Sequence, residues 1–167
     1  MKHGVVLRRP EQADRSEFLA KALASRALHR PWVAAPSTEE KFAAYIARMQ
    51  APANHGFLVC EAEEGSIVGV VNLTNVVLGV FRSGYLGYYA FAGYERQGLM
   101  RAGLLLVIRH AFRPLKLHRL EANIQPGNVA SIALVKSCGF SKEGYSPKYL
   151  KIGGQWRDHE RWAILAS

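Results

Sequence analysis

Residues 94–102 read Tyr94-Glu95-Arg96-Gln97-Gly98-Leu99-Met100-Arg101-Ala102, and this stretch constrains the chain more than any other. It follows an aromatic run with Tyr85, Tyr88, Tyr89 and Phe91. It precedes residues 100–112, where Leu104, Ile108 and Ala111, flanked by Leu105 and Phe112, recur at helical spacing. A strand that turns directly into a helix leaves the first N–H groups of that helix without acceptors. With the positive end of the helix dipole they make an anion site. Gly98 has no Cβ, so backbone can approach a phosphate there, and Arg96 and Arg101 add positive charge. The stretch predicts a pyrophosphate grip around which the chain is arranged. An ordinary strand-to-helix connection is the plainer alternative, and one glycine does not separate the two.

A chain of 167 residues, 49% hydrophobic, is long enough for a real core and reads as a single domain over 1–167. No apolar run reaches membrane-spanning length. Lys2, His3, Arg8 and Arg9 interrupt the start, so neither a membrane partner nor a secretory leader is expected. Cys60 and Cys138 are too few for a disulfide framework and suit a reducing cytoplasm. There is no CxxC, no HExxH and no clustered acidic loop, so no metal is expected. The formal net charge of +9 favours anionic partners: phosphates, RNA or an acidic protein face. The arginines are scattered rather than gathered in a tail, which argues against sequence-specific nucleic-acid binding.

The rest of the chain alternates between strand and helix patterns. Residues 4–8 form a weakly alternating strand that Pro10 stops, and Asp14 stands where it can cap a helix to about Ala24 with Phe18, Leu19, Ala22 and Leu23 on one face. Residues 28–32 are irregular. Ser37 and Glu40 have capping-box spacing, so a second helix runs to about Gln50 on Phe42, Tyr45, Ile46 and Met49. Residues 57–61 and 67–76 make a hairpin about the turn 63–66, and 83–91 is the aromatic strand. After the helix that Pro114 stops, 119–124 is a strand with Leu120, Ala122 and Ile124 facing one way. Asn128 can cap a short helix over 129–138, with Gly139 at its left-handed C-cap. Residues 141–150 and 157–165 are strands joined at Gly153-Gly154. The order β-α-α-β-β-β-α-β-α-β-β is that of a mixed sheet with helices packed on it.

Two strand-to-helix units follow each other, at 85–112 and 119–138, and the residues along them carry a family resemblance. Gln97-Gly98-Leu99-Met100, Leu117-His118-Arg119, Pro126-Gly127-Asn128-Val129-Ala130-Ser131 and Gly139-Phe140-Ser141-Lys142-Glu143-Gly144-Tyr145 resemble a GNAT acetyltransferase of the RimJ/RimL branch. The runs 70–77, Tyr85-Leu86-Gly87-Tyr88 and Gly154-Gln155-Trp156-Arg157-Asp158-His159 resemble the RimJ side of that branch, and Pro31-Trp32 also matches. The similarity is strongest over 68–159. It implies an α/β (α+β) fold: a mixed, mostly antiparallel seven-stranded sheet with helices on both sides. It also implies acetyl transfer from acetyl-CoA to the N-terminal α-amine of a protein, a ribosomal protein in that branch. The basic surface would then add the RNA-rich ribosome as a partner. Monomer and homodimer both remain open. The alternatives are an acetyltransferase for a small amine such as an amino acid, polyamine or aminoglycoside, and a weakly catalytic CoA-binding or ribosome-associated module.

The same resemblance assigns roles. Arg96, Gln97, Gly98, Leu99, Met100 and Arg101 hold the pyrophosphate of acetyl-CoA. Glu95 stands where a Gln or Arg is usual and is expected to point away. The thioester lies beside the strand end, where backbone N–H near Tyr88 and Tyr89 polarises its carbonyl. Tyr89 has the plainer role of a core or edge aromatic. Many members place an acid tyrosine where this chain has Val135; the branch uses a serine at the position of Ser131, whose plainer role is bonding backbone in the first helical turn. Asn128 contacts the pantetheine arm, caps the helix, or both. An α-amine has a pKa of roughly 8 and is partly neutral near pH 7, so the reaction needs only a weak base. Glu121 is the nearest strand carboxylate, with a salt bridge as its plainer role, and Tyr145 is a further catalytic candidate. Asn72 and Asn75, polar on an apolar strand, are candidates for binding the acceptor's backbone, and Trp32 for closing its groove. Cys138, before Gly139 at a helix end, reads as buried packing rather than a nucleophile, which points to direct transfer.

Overall fold

The computed structural model of the protein describes residues 4–167. Along them run β1 (Val5–Arg8), a 3-10 turn (Gln12–Asp14), α1 (Arg15–Ala24), α2 (Arg26–His29), α3 (Glu39–Met49), β2 (His55–Glu61), β3 (Ile67–Val77) and β4 (Ser83–Ala90). Then follow α4 (Leu99–Phe112), β5 (Arg119–Ile124), α5 (Val129–Ser137), β6 (Ser141–Ile152) and β7 (Gln155–Leu165). The strands form one sheet in the order β1-β2-β3-β4-β5-β7-β6. Every neighbouring pair is antiparallel except β4 and β5, which are parallel. The architecture is the mixed, mostly antiparallel seven-stranded sheet the sequence predicts.

Period-two alternation splits each central strand between two cores. Phe57 and Val59 of β2 join Leu104, Val107, Ile108 and Ala111 of α4, together with Val135 of α5. Leu58 and Cys60 face the other way, onto Phe18 and Ala22 of α1 and Phe42, Tyr45, Ile46 and Met49 of α3. Helices therefore cover both faces. That is why β2 and β3 read as nearly continuous apolar runs. Among the described residues, no helix is long and apolar enough to cross a membrane.

Several local expectations shift. Thr38, not Ser37, caps α3, its Oγ1 accepting the Lys41 N–H at 3.2 Å. Asp14 precedes α1 but does not cap it: its carboxylate accepts the Glu11 N–H at 2.8 Å and pairs with Arg8 at 2.7 Å, which starts the 3-10 turn instead. Residues 28–32 are not wholly irregular, because α2 runs into them. Leu23 was expected on the buried face of α1 and is 47% exposed, since only Phe18 and Ala22 reach the sheet.

Helix α4 lies directly on β2 through Gly103. A Cβ built there would fall 2.6 Å from Cγ2 of Val59, closer than such atoms approach. Gly103→Ala should therefore destabilise the fold by about 1–3 kcal/mol through overpacking. Paired with Val59→Ala it should cost less than the sum of the two single changes. Urea unfolding of the four proteins in the cycle checks this; simple additivity would mean that the helix–sheet contact lies elsewhere.

Candidate active site

Strands β4 and β5 pair only over Ser83–Tyr85 against Arg119–Glu121. Beyond Tyr85, β4 continues against β3 and β5 continues against β7, so the two diverge and open a wedge in the sheet. Phe91 donates its N–H to the Val68 carbonyl at 2.9 Å, so this is a hydrogen-bonded pair of the β3–β4 ladder. Alternation from there gives the Tyr89 N–H to β3 and turns those of Tyr88 and Ala90 toward the wedge. The sequence reading offers N–H near Tyr88 and Tyr89 together; of these two, the Tyr88 N–H faces the opening and the Tyr89 N–H faces β3.

The end of β4 is held from the opposite layer. Ser25, 1% exposed, accepts the Ala92 N–H on its Oγ at 2.8 Å, and His29, 5% exposed, meets the Ala90 carbonyl through Nε2 at 2.7 Å. Residues 93–98 then fold back on themselves. The Glu95 carboxylate accepts the Gly93 N–H at 2.6 Å, and the Gln97 side-chain amide donates to the Gly93 carbonyl at 2.8 Å. Glu95 is thus engaged within the loop, and the Gln97 side chain shapes the loop.

Arg96 and Gly98 take left-handed backbone, with φ 59° and 75°. The first internal bond of α4 runs from the Ala102 N–H to the Gly98 carbonyl at 3.1 Å, and no side chain caps the helix. The N–H groups of Gly98, Leu99, Met100 and Arg101 are therefore free of helix partners. Space above Gly98 is open: a Cβ added there meets nothing within 4 Å. These features fit an anionic pyrophosphate. Leu99 and Met100 point their side chains into the core, so only their backbone is on offer. Arg101 turns to the last turn of α5, donating to the Ser137 carbonyl at 3.1 Å.

On the far side of the wedge, Asn128 caps α5, its Oδ1 accepting the Ser131 N–H at 3.3 Å. The Ser131 Oγ lies 2.7 Å from the hydroxyl of Tyr88, which also stands 3.2 Å from the Ser131 carbonyl. Thus one side chain from β4 and one from α5 meet across the opening. Burial pushes the Tyr88 phenol well above its ordinary range, with the Ser131 bond opposing, so it stays protonated at neutral pH. The half-buried Trp32 covers the turn into α5: a Cβ on Gly127 would touch its ring at 3.1 Å.

A cavity of about 170 Å³ opens beside Tyr88, lined by Val33, Ala34, Pro36, Tyr45, Arg48, Asn72, Gly87 and Tyr89. Asn72 accepts the Tyr45 hydroxyl on Oδ1 at 2.6 Å. The Tyr89 hydroxyl is buried without a partner among the described residues. The Arg48 guanidinium sits 5.9 Å from the Tyr45 ring centroid. Sequence reasoning missed Arg48 and Tyr45 as site residues. The usable signal was their i, i+3 spacing on α3, which places them on neighbouring faces.

Other candidates fall outside this group. Asn75 lies in the irregular end of β3, at φ 52°, with its N–H on the Asn54 side chain at 3.2 Å. Glu121 is tied to Arg119 at 2.8 Å, which also holds Glu143 at 2.6 Å: the salt-bridge role. Tyr145 is exposed on β6 and donates to Asp158 at 2.6 Å. Cys138 is buried, and that burial raises its thiol, which disfavours the reactive thiolate.

The chain matches a family model described as an acetyltransferase (GNAT) domain over residues 5–141. It is 44% identical over 108 residues to the [ribosomal protein uS5]-alanine N-acetyltransferase of Escherichia coli (strain K12); the match takes in 65% of this chain and 56% of that protein. Among solved structures, RimJ of Mycobacterium smegmatis in complex with CoA-disulfide superimposes with a TM-score of 0.90 at 28% identity, covering 97% of this chain and 82% of that one. The spermidine N-acetyltransferase of Vibrio cholerae in complex with CoA and spermine gives a TM-score of 0.79 at 21% identity, over 96% and 95% of the two chains, a likeness of fold. The wedge, the uncapped start of α4 and the capped start of α5 all lie inside the matched model, and the chain belongs to the GNAT acetyltransferase family.

Proposed function

We propose that this chain transfers an acetyl group from acetyl-CoA to the N-terminal α-amine of a protein, by direct attack with both substrates bound. The observation that carries the choice of acceptor is the cavity beside Tyr88. Its lining includes a cation, Arg48, and no carboxylate. Such a lining disfavours a polyamine, which carries several positive charges, and suits an amine flanked by carbonyl groups. The E. coli relative, whose name specifies alanine of a ribosomal protein, supports a protein acceptor. The net charge of +9 is in keeping with an RNA-rich destination.

Acetyl-CoA supplies an activated thioester. Around it, the free N–H groups at residues 98–101 bind pyrophosphate, and the Tyr88 N–H meets the thioester oxygen as it gains charge. Asn72, whose side chain lines the cavity, holds the acceptor backbone in line. An α-amine near a pKa of roughly 8 sheds its proton to water without a strong base. The Ser131 hydroxyl, held 2.7 Å from the Tyr88 hydroxyl, donates a hydrogen bond to the departing sulfur, and the thiolate takes up through water the proton that the attacking nitrogen gives up.

Three outcomes follow. Gly98→Val should weaken acetyl-CoA binding about 10-fold or more, because a β-branched residue resists the left-handed backbone that aims the N–H groups. Calorimetry on the folded variant reads this, and unchanged affinity removes the loop from the site. Ser131→Ala should lower kcat roughly 10- to 100-fold with a smaller change in KM for acetyl-CoA, and Tyr88→Phe should lower kcat in the same sense. If Ser131→Ala reduces only the melting temperature, its role is structural. On a substrate panel, peptides with a free N-terminus should exceed spermidine and aminoglycosides in kcat/KM, and peptides with blocked α-amines but free lysines should be inert. Faster turnover of spermidine would reverse the assignment.

A further inference from the structure

The cavity beside Tyr88 holds more hydrogen-bond donors than an unselective peptide groove needs. The Asn72 Oδ1 is taken by Tyr45, and the Asn72 amide N–H groups have no hydrogen-bond partner among the described residues. The Tyr89 hydroxyl is buried and lacks a partner among the described residues, a costly state unless something in the cavity accepts from it. Arg48 adds a guanidinium, all donor and no acceptor, from the exposed side of α3. The Arg48 guanidinium lies 5.9 Å from the Tyr45 ring centroid, and burial raises the phenols of both Tyr45 and Tyr89 with the Arg48 charge opposing the rise in each. The remaining walls, Val33, Ala34, Pro36 and Gly87, are small and apolar and offer no competing charge. Donors converge here from three elements, and no carboxylate among the lining residues answers them.

We infer that Arg48 is a specificity-determining residue, and that the cavity takes acceptor peptides bearing an acidic side chain within the first three positions after the reacting amine. This rests on the N-terminal reading above and adds the chemical class of the peptide. A carboxylate satisfies what the cavity lacks. It accepts two N–H bonds from Arg48 in a planar fork. A lysine at the same place would meet the Arg48 charge and be rejected.

The test is a matched peptide panel with a small N-terminal residue. Glu, Gln or Lys is placed in turn at the second, third or fourth position, and each peptide is also made with a blocked α-amine. Acetylation is followed as kcat/KM for the wild-type protein, Arg48→Gln and Arg48→Glu. The expected result is a Glu-over-Gln preference on the order of 10- to 100-fold at one of these positions in the wild type. That ratio should fall to near one in Arg48→Gln, and Arg48→Glu should prefer Lys. Because each ratio is taken within one protein, a general loss of activity does not imitate it. A wild type that acetylates the Glu and Gln peptides alike, or an Arg48→Gln protein that keeps the preference, overturns the role of Arg48 and leaves N-terminal acetylation standing. Turnover that ignores the α-amine block overturns the N-terminal reading and this inference with it.

Discussion

The parallel contact between β4 and β5 lasts three residues on each strand, and the site depends on its brevity. Parallel strands joined by a helix are held in register by evenly spaced bonds, and nothing in that geometry makes them part. Here β4 stays paired with β3 as far as Ala90 and β5 stays paired with β7 as far as Ile124, while the edges that β4 and β5 turn to each other part after Tyr85. The wedge exposes the Tyr88 backbone in the middle of an otherwise closed sheet. It also lets a side chain from β4 cross to α5. The helix starts at residues 98 and 128 flank the same opening because each follows one of the two diverging strands.

The two helix starts are finished differently, and the difference separates their chemistry. Asn128 caps α5, so its dipole end is partly satisfied by the protein itself. Gly98 begins α4 without a side-chain cap. Arg96, Gln97, Gly98 and Arg101 around that start are exposed, so its N–H groups are open to water or to an anion that replaces it. The loop before it is tightened by Glu95 and Gln97 on Gly93 rather than by contacts to the helix, which leaves the free N–H groups clear.

Much of the fold was legible because its signals are local. The Asn128 cap, the left-handed Gly139, the four buried residues of α3 and the Gly153-Gly154 turn each depend on a few neighbouring residues. Thr38 was missed because two adjacent cap-forming residues compete, and the spacing to Glu40 favours the wrong one. The pairing of Tyr88 with Ser131 spans 43 positions and needs the wedge, which no local pattern announces. At Gly98 the sequence shows the missing Cβ but not the positive φ, which depends on how the turn folds. Asn72 and Asn75 looked equivalent in the sequence. The irregular end of β3 parts them, sending one to the cavity and the other to the Asn54 side chain.

Ser25 and His29 reach the end of β4 from the sheet face opposite α4, and they do so through α1 and a helix of four residues. The backbone just before the pyrophosphate loop is therefore moored to the first thirty residues of the chain. A brief opening of that segment would release the Ala90 carbonyl and the Ala92 amide together and loosen the loop from behind. The order of the loop at residues 93–98 thus inherits the local stability of α1 and α2.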